Sequence, residues 1–93
     1  MTTLVLFSGS TLDFIANELE GTFEAAIEDH NAEMLRDAKD ALVWCGQFEN
    51  YGSFPFSEAL PDHLVMMFRA AIEAIKSHSE LHAVAGEIEL IEE

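Results

Sequence analysis

The chain opens on an apolar run, continues through stretches with helical periodicity and then changes to a period of two. Leu4-Val5-Leu6-Phe7, followed by Ser8-Gly9-Ser10, reads as a short strand ending in a turn. Ser10 with Asp13 three residues on resembles a capping box, and Leu12, Ile15, Ala16, Leu19, Phe23, Ala26 and Ile27 follow at helical spacing. Gly21 inside this stretch costs about 1 kcal/mol relative to alanine, so a break is expected to be tolerated there.

The apolar stripe does not continue in register into Met34, Leu35, Ala38, Ala41, Leu42 and Cys45; it rotates by roughly a quarter turn. Two helices are therefore expected, divided near His30-Asn31, with Asn31 capping the second and Gly46 near its end. Residues 47–56 are rich in turn formers and aromatics and read as an ordered loop. A third helix is expected to begin between Ser57 and Pro61 and to run to about His78. Its stretch from Leu64 to Phe68 is apolar on every side, suiting a central core helix or one that also meets a partner.

From residue 84 to 91 the period becomes two, with Val84, Gly86, Ile88 and Leu90 alternating against Ala85, Glu87, Glu89 and Ile91, as in a half-buried strand. The expected fold is a mostly helical α+β domain of order β-α-α-α-β, with the terminal strands paired, over residues 1–93 as a single unit. Two strands make a marginal sheet, which a homodimer formed through a sheet edge or the third helix would relieve. At 93 residues one core is all the chain can support, and 49% hydrophobic residues supply enough material for it.

Charge changes this picture most. Eighteen Asp and Glu face only Arg36, Lys39, Arg69 and Lys76, a formal charge of −14. Residues 1–35 hold seven carboxylates and no Lys or Arg, and residues 77–93 hold five more with none. Such a surface attracts cations and basic proteins and disfavours direct contact with nucleic acid or anionic membrane. Asp13, Glu20, Glu24 and Glu28 fall within about 80° of one another on the helical wheel, away from the apolar stripe. Glu33, Asp37 and Asp40 form a second row, and Asp29 lies between the two.

A solvated acidic face is the plain explanation of these rows. The alternative is a partner-binding face, because like charges at i, i+4 each cost roughly 0.2–0.5 kcal/mol and solubility alone would be served by interspersed lysines. Over residues 20–37 the net charge falls about every 5 Å along a helix, against one per roughly 1.7 Å of duplex DNA. One face is too sparse to copy a duplex, although two helices side by side, or a dimer, approximate a single strand. Trp44, Phe48, Tyr51, Phe54 and Phe56 suit either closure of the core or an aromatic anchor at an interface; Trp44 and Tyr51 are the residue types that dominate such anchors.

Candidate chemistry is thin. His78 and His82 stand at i, i+4, but Ser77-His-Ser-Glu-Leu-His82 lacks the His-Glu-x-x-His order, no third ligand is specified, and surface histidines are expected. Cys45 is the single cysteine, which excludes an intrachain disulfide, fits a reducing compartment and reads as a buried structural thiol. No stretch reads as a signal peptide or a membrane span, so the cytosol is expected. Leu4-Val-Leu-Phe-Ser-Gly-Ser-Thr-Leu-Asp13 resembles the phosphate loop of pyrophosphatase-type ATP-binding proteins over about ten residues. It departs from that pattern at Ser10, where a glycine is required, at Asp13, one position late, and at Phe14 in place of a serine. With no Lys or Arg before residue 36, a capped turn is preferred to a phosphate site.

No enzyme, cofactor or metal is therefore expected. In size, charge and lack of catalytic motifs the chain is similar to small phage-encoded inhibitors of bacterial defence, such as anti-CRISPR and anti-restriction proteins. That resemblance implies a decoy acting in the host cytosol, its carboxylates engaging a basic, nucleic-acid-binding surface of another protein. The competing expectation is an acidic adaptor or immunity-type subunit that pairs obligately with a basic partner through the third helix.

Overall fold

The computed structural model describes residues 1–8, 11–48, 55–78 and 86–92. Strand β1 (Thr2–Leu6) leads to helix α1 (Leu12–Glu28) and helix α2 (Ala32–Gly46). Strand β2 (Phe56–Leu60), a 3-10 turn over Asp62–Leu64, helix α3 (Val65–Ser77) and strand β3 (Ile88–Glu92) follow. The mostly helical α+β architecture expected from the sequence is present, and β1 pairs antiparallel with β3, Leu6 opposite Ile88 and Leu4 opposite Leu90.

β2 adds a third strand where a loop and a helix onset are expected from the sequence. It pairs antiparallel with the other edge of β1, giving the order β2-β1-β3. Its side chains alternate: Phe56, Glu58 and Leu60 turn toward the core while Ser57 and Ala59 are exposed. Glu58, opposite Leu4, disguises this period of two, because it places a carboxylate at an inward position. An inward charge on an edge strand also discourages addition of a further strand. Pro61 then ends β2, and α3 begins only at Val65.

The two joints that frame the helical hairpin have local causes. Asn31 caps α2, its side-chain oxygen accepting from the Met34 N–H at 3.1 Å. α1 ends when the His30 N–H donates to Ile27 O (3.2 Å) and the Asn31 N–H donates to Ala26 O (3.0 Å). This closure needs a left-handed residue at His30, whose φ is 52°, at a position usually given to glycine. α1 passes unbroken through Gly21, where an added Cβ would meet nothing within 4 Å.

Leu4 and Leu6 of β1, Ile15 and Leu19 of α1, Phe68, Ile72 and Ile75 of α3 and Ile88 of β3 form one core, which also takes in Trp44 and Cys45 from the end of α2. The helices thus cover one face of the sheet, and Thr3, Val5, Ala59 and Ile91 on the other face stay half-buried or exposed. Thr11, where the capping residue Ser10 is expected from the sequence, makes no side-chain cap; its Oγ1 donates to Ser8 O at 2.6 Å. Ser10 itself, Tyr51, Phe54, His82 and Val84 lie outside the described residues. Among the described residues, no helix is long and apolar enough to cross a membrane.

Candidate functional site

α1 and α2 pack on each other more extensively than any other pair of elements, with only Asp29–Asn31 between them. Burial of Leu12, Ile15, Leu19 and Ala26 fixes the rotation of α1, so the opposite side must face solvent. Asp13, Glu20, Glu24 and Glu28 lie on that side and all are exposed, as are Asp29 and Glu33 at the turn. Asp37 is half-buried on α2.

Among the described residues, no Lys or Arg pairs with the α1 row. The ion pairs lie elsewhere, Arg36 Nε to Asp37 Oδ1 at 3.8 Å and Arg69 to Glu92, and His63 Nε2 approaches Asp40 Oδ2 at 3.5 Å. Neither α1 nor α2 has a basic residue in its last turn, and α1 ends on Glu28 followed by Asp29 at its cap. Carboxylates at the negative end of a helix dipole are destabilising, as are like charges four apart at Glu20, Glu24 and Glu28. The face is built against local stability rules.

At the tip of the hairpin the acidic surface meets an apolar one. An open cleft of about 310 Å³ is lined by Ala26, Ile27, His30, Asn31, Ala32 and Leu35. Ile27 on its rim is exposed, as are Val43 of α2 and Met66 of α3, but Ile27 lines the cleft together with Ala26 and Leu35. This cleft was not foreseen from the sequence. Ile27 follows the apolar stripe of α1 in spacing, and only the packing of α2 shows that it is left outside.

Trp44 corrects the reading of it as an interface anchor. Its indole lies in the core, 4.7 Å from the Phe48 ring and edge-on to Phe68 at 5.2 Å, while Phe48 stacks on Phe56 at 5.4 Å. The aromatic residues at the end of α2 therefore join it to α3 and β2 instead of facing a partner. Cys45 is buried beside them, and burial pushes its thiol from 9.0 up to about 12, so the nucleophilic thiolate is suppressed.

His78 caps the end of α3. The side chains that do converge are Asp37, Asp40 and His63, each offering a ligand atom within 4.8 Å of the others. Asp37 and Asp40 stand at i, i+3, a spacing visible in the sequence, but the arrival of His63 from the turn before α3 depends on tertiary structure. No family model, curated protein or solved structure matches the chain.

Proposed function

We propose that this protein is a small acidic inhibitor of the decoy type, acting as phage anti-defence proteins do by occupying a basic, nucleic-acid-binding surface of a target protein in the host cytosol. The observation that carries this reading is the α1 row Asp13, Glu20, Glu24 and Glu28, exposed and unpaired with Lys or Arg, running to a tip where Ile27 and Leu35 border an open cleft. The carboxylates would steer association and confer its salt dependence, while an apolar side chain of the target seated in the cleft would slow dissociation. α3 buries Phe68, Ala71, Ile72 and Ile75 within the chain but leaves Met66 70% exposed, so an obligate apolar pairing through α3 is the competing reading.

A decoy must compete with the nucleic acid it replaces. A host lysate passed over the immobilised chain should yield a protein with a basic groove that a single-stranded oligonucleotide displaces and that rising salt elutes. A captured protein indifferent to both the oligonucleotide and the salt would contradict the decoy reading and favour an obligate apolar pairing.

A further inference from the structure

The carboxylates of α1 and those of α2 are differently placed. Those on α1 have only other carboxylates and solvent along their row. Asp37 and Asp40, one turn apart on α2, are joined by an imidazole from a separate element, the 3-10 turn Asp62–Leu64, which packs against α2. His63 Nε2 lies 3.5 Å from Asp40 Oδ2, and the three ligand atoms lie within 4.8 Å of one another. Metal–ligand bonds of about 2.0–2.2 Å put neighbouring donors about 3.3–3.6 Å apart around a tetrahedral ion, so modest side-chain rotations would complete the set. His63 and Asp40 are both about half exposed and free to make them.

We propose that Asp37, Asp40 and His63 form a binding site for a divalent cation of the zinc class. One nitrogen and two carboxylate donors suit zinc and its first-row neighbours; magnesium and calcium take oxygen donors and gain little from an imidazole. The chain's net charge of −14 raises the local concentration of any cation, and a dication between Asp37 and Asp40 would relieve their mutual repulsion at i, i+3. Arg36, 3.8 Å from Asp37, is the competing cation; it is 71% exposed and can swing into solvent. Three protein donors leave a coordination position open, so a bound ion could also accept a donor from another molecule. Asp37 and Asp40 belong to the second acidic row, but none of the α1 carboxylates that carry the decoy reading takes part, so the site is tested apart from it.

Isothermal titration of the intact chain with zinc chloride, at about 0.15 M salt to screen diffuse attraction, tests the site. One saturable ion per chain is expected, with magnesium at least about tenfold weaker and with His63→Ala or Asp40→Asn weakening zinc by about tenfold or more. Both substitutions are on exposed side chains, so the far-UV circular dichroism should be unchanged, and His78→Ala should leave zinc affinity intact. Zinc uptake that does not saturate, that survives His63→Ala, or that is lost with His78→Ala would overturn the assignment.

Discussion

α3 and α1 are neighbours in one core, yet their charges follow opposite rules. On α3, Arg69 pairs with Glu92 of β3, and Lys76 sits in the last turn where the helix dipole favours a cation. Arg69, Lys76, Glu73 and Glu92 share one cleft, so its charges offset one another. α1 carries Asp13, Glu18, Glu20, Glu24 and Glu28 with no cation, and Glu28 occupies the last turn, where the dipole disfavours it. The acidity of the chain is thus not a uniform coat. One side is arranged for folding; the other departs from it, and such departures concentrate where function is selected.

The largest effect expected from breaking this contrast is on the folding side. Phe68 is fully buried where Trp44 meets α3, and Phe68→Ala should cost about 3–5 kcal/mol by urea denaturation. That is a large part of the roughly 5–14 kcal/mol expected for a domain of this length. A loss under about 1 kcal/mol would show that the core does not depend on this contact. On the hairpin side the sign reverses: His30→Gly removes a left-handed non-glycine residue and should raise stability by about 1 kcal/mol. A lower urea midpoint in that variant would show that the imidazole itself holds the turn.

What was legible in the sequence follows the range of the forces involved. The Asn31 cap, the break between α1 and α2 and the alternation at Ile88 and Leu90 are local signals, and the structure carries all three. The exposed carboxylates of α1 were legible because the apolar stripe fixes the helix rotation. β2 was hidden, since Glu58 at an inward position and Pro61 behind it imitate the onset of a helix. Trp44 could not be assigned from its neighbours, because an aromatic beside a turn packs inward or outward according to what arrives from elsewhere, here Phe68. His63 at Asp40 and the cleft at Ile27 have the same non-local origin.

If the α1 face sacrifices stability for binding, the variant Glu20→Lys, Glu24→Lys, Glu28→Lys separates the two most directly. The variant keeps like charges at i, i+4 but places a cation at the helix end and lowers the net charge from −14 by six to −8, so stability measured by urea denaturation should hold or rise, by up to about 1 kcal/mol. Over the same immobilised lysate assay the captured basic protein should be lost. A variant that keeps its partner at undiminished affinity would contradict the claim, and the carboxylates of α1 would then be a solvated surface only.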